Sequence, residues 1–175
     1  MEKQIALLRG VNVGGHRKMP MAVLREMATT LGLKNVQTYI QSGNMVFDSP
    51  WNTIVTCNTL ENAIAKTFGF QVPVLMIDAA KIQNIVDAFP MQMDWKEKSY
   101  YTLFYQTPTQ EAATAMLAVD YPGEHIKLAS NCLYFYSEHG YGKAKLNNTL
   151  IERKLEVQTT TRNYRTLMRL IAMAG

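Results

Sequence analysis

The chain has 175 residues, with 18 Lys and Arg against 14 Asp and Glu, a formal charge of +4. Hydrophobic residues make up 47% and charged ones 18%, which is too apolar for a disordered chain, and the length suffices to bury a core without staples. No apolar run approaches the roughly 18 residues of a membrane span, the N-terminus does not read as a secretory signal, and two cysteines exclude a disulfide scaffold and point to a reduced, cytoplasmic setting.

Residues 5–13 read as a buried strand interrupted by Arg9 and Gly10 and ended by Gly14 and Gly15. Pro20 suits a first helical turn; Met21, Leu24, Met27, Ala28 and Leu31 form one apolar face, with Gly32 behind it. Residues 36–40 and 45–47 read as short strands joined by Gln41-Ser42-Gly43-Asn44, a turn or bulge signal. Asn58, with Glu61 three residues on, marks a helix start; Leu60, Ile64 and Phe68 face inward and Gly69 closes it. Residues 71–77 form a further strand, which Pro73 makes an edge or delays. The order β-α-β-β-α-β is that of a ferredoxin-like unit.

Asp78 then caps a helix with Ile82, Ile85, Val86 and Phe89 inward, stopped by Pro90, and residues 91–99 form a connector. After a strand over 100–106, Thr107-Pro108-Thr109-Gln110 reads as a capping box with Pro at N1, predicting a helix through Leu117. Pro122-Gly123 is a turn, residues 126–129 and 133–136 are strands flanking Ser130-Asn131, and Asn147 or Asn148 opens a helix carrying Leu150, Ile151 and Leu155. This is β-α-β-β-α again, and residues 39–49 parallel 127–137, as a duplication would leave them. The parallel breaks at the end: Tyr164, Leu167, Met168 and Ile171 predict a terminal helix rather than a strand. The expected fold class is α+β: two ferredoxin-like (βαββα-type) halves with antiparallel sheets plus a C-terminal helix, divided as 1–77, a helix and connector over 78–99, and 100–175.

Charge is uneven. Residues 1–18 hold four basic groups against one acidic, and residues 143–175 hold seven against two. Arg162, Arg165 and Arg169 are expected on one helix face, either as a solvated surface or as part of an anion site.

The segment Gly10-Val11-Asn12-Val13-Gly14-Gly15 follows a strand and precedes a helix, where phosphate loops sit, and Arg9, Arg17 and Lys18 surround it. Gly10 and Gly15 have the separation of a phosphate-loop pattern, but His16 and Arg17 replace its Lys and Ser/Thr; Asn12 holds the place of the second Gly of a dinucleotide fingerprint. The structural alternative is a tight turn needing positive φ. Arg9 breaks an apolar run, so it must pair, reach the strand's end or face a ligand. Ser42 lacks the flanking glycines of a nucleophile elbow, and a polar turn is the plainer account. His16, His125, His139, Cys57 and Cys132 have no ligand-like spacing, so no metal site is expected. Tyr100, Tyr101, Phe104, Tyr105, Tyr134, Phe135 and Tyr136 crowd two strands that could stack bases, although core packing accounts for them more simply.

Three segments carry a resemblance: 6–15 with Lys18 and Met19, 38–47, and Thr160-Thr161-Arg162-Asn163-Tyr164. Together they resemble an uncharacterised bacterial family, domain of unknown function 1697. The resemblance implies a pair of ferredoxin-like halves and brings no activity or catalytic residue. A Gly that the resemblance would place after Lys154-Leu155 is replaced around Glu156-Val157.

The expected function is a binding module for an anionic, phosphate-bearing small ligand, without a cofactor. Arg9, Lys18 and Arg162 would supply charge, the Gly14-Gly15 backbone would approach the ligand, and Asn12, Gln41, Ser42, Asn44 and Asn163 would direct hydrogen bonds. The alternatives are nucleic-acid binding through the basic termini, an enzyme of unassigned reaction using the same polar cluster, and an assembly protein with an exposed aromatic sheet face.

Overall fold

The computed structural model describes residues 1–175. The chain divides into two compact units, residues 1–83 with 168–175 and residues 84–167. No helix is long and apolar enough to cross a membrane.

The first unit runs β1 (Glu2–Leu8), α1 (Met21–Thr30), β2 (Lys34–Tyr39), β3 (Asn44–Ser49), α2 (Thr53–Phe68) and β4 (Val74–Ile77). Its antiparallel sheet has the order β2-β3-β1-β4. One sheet face, with Ala6, Leu8, Met45 and Phe47, packs against Leu24, Met27, Leu60 and Ile64 of α1 and α2. The leucine, isoleucine, methionine and phenylalanine side chains among these each contribute about 1.5–3 kcal/mol when fully buried. The expected apolar faces of both helices are those that are buried.

Two expectations change here. The strand expected over 5–13 ends at Leu8, so Arg9 does not interrupt a buried strand; it lies half-buried just beyond the end, its N–H on Pro73 O at 3.1 Å. Gly10 follows at φ 66, outside the range that a strand tolerates. The helix expected from Asn58 begins at Thr53 instead. Asn52 caps it, its Oδ1 accepting from Val55 N at 3.0 Å, and Ser49 Oγ meets Thr56 Oγ1 at 2.8 Å. Glu61 closes no capping box: its carboxylate accepts from Val74 N at 2.8 Å and ties α2 to β4. As Pro73 implies, β4 is a short edge strand that starts after the proline.

Asp78 caps α3 (Ala79–Asp87), accepting from Lys81 N at 2.7 Å, and a short 3₁₀ turn (Met93–Lys98) follows. The second unit continues with β5 (Tyr100–Phe104), α4 (Gln110–Leu117), β6 (Glu124–Leu128), β7 (Cys132–Ser137), α5 (Asn148–Leu155) and β8 (Thr159–Asn163), and α6 (Tyr164–Ala174) ends the chain. The sheet order is β6-β7-β5-β8, antiparallel throughout. Phe104, Leu133 and Phe135 pack on Met116, Ile151 and Leu155 of α4 and α5.

The cap of α4 is Thr109, accepting from Ala112 N at 3.2 Å, rather than Thr107. Asn147 caps α5. The segment before the terminal helix, expected to carry no strand, forms β8 along β5. Each half thus has the full β-α-β-β-α-β order, and the matched stretches 44–49 and 132–137 are both the third strand of their sheet. Five consecutive polar residues, Thr159–Asn163, concealed β8: strand patterning needs an apolar face, and here hydroxyls fill that role.

The aromatic strands β5 and β7 are the central pair of their sheet. Tyr101 and Tyr134 meet edge-on at 5.7 Å, and Phe89 lies against both. Tyr101 Oη donates to Lys96 O at 3.1 Å and Tyr134 Oη to Ile85 O at 2.9 Å. These rings are core, not a platform for bases. Burial pushes the Tyr134 phenol up to about 12, with Cys132 adding to the effect.

Candidate functional site

Beyond β1 the chain makes a small hairpin. Asn12 N donates to Arg17 O at 3.1 Å and His16 N to Val13 O at 2.9 Å, and Val13 and His16 form an isolated antiparallel bridge. Gly14 and Gly15 are the central residues, at φ 57 and 78. Positive φ at both positions is what a type I′ turn requires, and glycine meets it without strain. The glycines therefore form a hairpin tip, not a phosphate loop wrapped over a helix end.

Asn12, itself at φ 55, fastens the base of this finger. Its Nδ2 donates to Met19 O (2.9 Å) and Gln41 O (2.7 Å), and its Oδ1 accepts from Met19 N (2.8 Å). The second motif supplies the other side of the joint. Residues 40–43 are the β2–β3 turn, and Leu8 N donates to Gly43 O at 2.8 Å. Gly43 sits at φ 77, and a Cβ there would lie 2.6 Å from Leu8 Cβ and 2.8 Å from Val11 Cγ2. Asn44 is fully buried, donating to Tyr39 O and Ser42 Oγ, both at 2.9 Å. The fold thus brings Arg9, Asn12, Gly14, Gly15, Lys18, Gln41, Ser42 and Asn44 to one end of the first sheet, with the three asparagine and serine side chains engaged in local hydrogen bonds.

Arg162 and Asn163 belong to the second unit. Arg162 is on β8 and only 7% exposed, so it does not share the exposed helix face expected for Arg165 and Arg169. Its Nη1 donates to Thr160 Oγ1 (2.8 Å) and Thr161 O (2.9 Å). Burial pulls this guanidinium down to about 10, with Tyr105 acting in the opposite direction. Asn163 Oδ1 accepts from Thr166 N at 2.9 Å, at the start of α6.

What the finger leaves exposed is its charge. Residues 13–18 are all exposed, Val13 at 63%. Arg17 and Lys18 enter no ion pair. No Asp or Glu lies between Glu2 and Glu26, a stretch holding Lys3, Arg9, Arg17, Lys18 and Arg25. Arg17 Nη1 folds back over Gly10, 3.5 Å from where a Cβ would stand. Arg17 was outside the expected ligand set, and the signal that could have included it is the unbroken run His16-Arg17-Lys18.

The family model described as a protein of unknown function, DUF1697, matches residues 1–134. The chain belongs to this family. The DUF1697 match covers the finger and the β2–β3 turn, whereas the Thr160–Tyr164 segment lies beyond it. Among solved structures, the conserved bacterial protein SP0830 from Streptococcus pneumoniae is similar, with a TM-score of 0.74 and 24% identity over 99% of this chain and 98% of that one. At that identity the likeness carries the fold alone. No curated protein matches the chain.

Proposed function

We propose that this DUF1697 protein binds a phosphate-bearing ligand through the finger of residues 10–18 and the adjoining β2–β3 turn. The observation that supports this reading is a stiff, exposed hairpin whose positive charge has no carboxylate among the residues from Lys3 to Arg25. Exposed cations without internal partners set up a field that attracts an anion. Arg17 and Lys18 carry the charge, since both are fully available. The Gly14-Gly15 tip lets a ligand approach main-chain N–H groups with no Cβ in the way. Gln41 is exposed beside the finger and can direct a hydrogen bond. Arg9 stands half-buried at the base, and its charge is not needed by this reading. Asn12, Ser42 and Asn44 act on the ligand only through the loop geometry that they hold.

Calorimetric titration with inorganic pyrophosphate tests the reading on the wild type and an Arg17→Ala/Lys18→Ala double variant. The expected result is saturable binding that the double variant weakens at least about tenfold, about 1.4 kcal/mol. Both side chains are exposed, so the melting temperature should stay within about 2 °C of wild type. Equal binding by the two proteins would remove the finger from the site.

A further inference from the structure

We infer that the phosphate-bearing partner of the finger is a duplex nucleic acid, held through its backbone without regard to sequence; this inference rests on the reading above. The shape of the finger argues for a polymer. Sites for small anions are concave and bury most of the ligand. The finger is convex: residues 13–18 are exposed, and no heavy atom of the rest of the chain lies within 4 Å of the place a Cβ on Gly15 would take. A single phosphate on such a surface meets Arg17 and Lys18 in full solvent, where salt screens the attraction and each pair contributes little. A chain of phosphates engages several cations at once and releases its condensed counterions, so weak contacts add up to useful affinity.

The distribution of charge argues the same way. Arg17 and Lys18 are adjacent in sequence on one limb of the hairpin, both exposed and without an ion pair, and no carboxylate interrupts the stretch from Lys3 to Arg25. A small phosphate ligand reaches one or two of these cations, whereas a backbone with regularly spaced charges reaches them in turn. Stiffness adds to this. Three hydrogen bonds from the Asn12 side chain and the Leu8–Gly43 contact hold the base, so little conformational freedom is lost on docking. The glycine tip of the hairpin lets main-chain N–H groups come close to a phosphate.

Fluorescence anisotropy of the full chain with a labelled DNA duplex of about 20 base pairs of arbitrary sequence, at about 50 and 200 mM salt, tests the inference beside the pyrophosphate titration. Two to three phosphate contacts predict that affinity falls roughly 10- to 40-fold across that range, and that Arg17→Ala/Lys18→Ala lowers the log–log salt slope by about two. Pyrophosphate binding that depends on Arg17 and Lys18, with no duplex binding, would overturn this inference and leave the phosphate reading standing. Binding of neither probe would overturn both. Duplex binding with a salt slope unchanged in the double variant would place the polymer elsewhere on the chain and also defeat the inference.

Discussion

Strand Thr159–Asn163 and the finger of residues 10–18 both carry polar side chains beside an apolar sheet, and they differ in where their polarity goes. In the strand, Thr159 and Thr161 hydroxyls donate to Asn148 Oδ1 at 2.8 and 2.9 Å, Thr161 also meets Thr102 at 2.9 Å, and Thr160 accepts from Arg162. Asn163 caps α6. These groups fasten α5 and α6 to the sheet. In the finger, Asn12 alone does comparable work, while Arg17 and Lys18 are exposed and enter no ion pair. Polar residues in an apolar context are fastenings where their hydrogen bonds are made within the fold, and the charge of the finger is not used in that way.

The comparison can be broken at several points. Gly43→Ala should have the largest effect. A Cβ 2.6 Å from Leu8 Cβ, on a backbone at φ 77, should cost about 2–4 kcal/mol in urea denaturation, because the base of the finger must part from the sheet. Asn148→Ala should cost about 1–3 kcal/mol, since it takes the acceptor from the buried Thr159 hydroxyl and from the half-buried Thr161 hydroxyl; a loss below about 0.5 kcal/mol would mean that the strand network is not a fastening.

Smaller effects sharpen it. Glu156 ends α5 at φ 55 and ψ 34, the left-handed geometry that glycine usually supplies. Glu156→Gly should therefore stabilise the chain by roughly 0.5–1 kcal/mol, read as a higher denaturation midpoint. Arg17 is also left-handed, at φ 48, so Arg17→Gly should leave stability equal or raise it by up to about 1 kcal/mol while weakening the phosphate-bearing ligand. On the proposed function, loss of Arg17 costs binding and not stability, the reverse of what is expected for Asn148.

The smallest effect is alkaline. Cys57 Sγ donates to Val74 O at 3.3 Å, and burial, with Glu61 nearby, pushes the thiol up from 9.0 to about 11. The folded state keeps a proton that the unfolded state gives up near pH 9, so this contribution is complete below pH 9 and is lost as pH rises toward 11. Stability measured across that window should fall less steeply in Cys57→Ala than in wild type.

Most of the architecture could be read from local signals. Met21, Leu24, Met27 and Ala28 repeat at helical spacing and are buried as expected, Pro73 delays an edge strand, and residues 127–137 repeat 39–49. Helix starts were less legible. Asn58 and Thr107 are plausible caps in sequence, but Asn52 and Thr109 hold the N–H groups, because a cap is decided by which side chain reaches the orphan donor. Strand β8 was hidden because its interior-facing groups are hydroxyls with partners on Asn148 and Thr102, residues 11–59 positions away in the chain.

For the candidate site, the sequence by itself determined which residues were unusual: glycines at 14 and 15, basic residues at 9, 18 and 162, and polar side chains at 12, 41, 42, 44 and 163. Only the tertiary structure decided that Asn12 and Gln41 meet, that Gly43 is pressed against Leu8, and that Arg162 is buried while Arg17 is exposed. Composition and periodicity report how a residue relates to its neighbours in the chain. Whether a charged or hydrogen-bonding group is already satisfied depends on atoms brought to it from elsewhere by folding, and that is a property of three-dimensional contact alone.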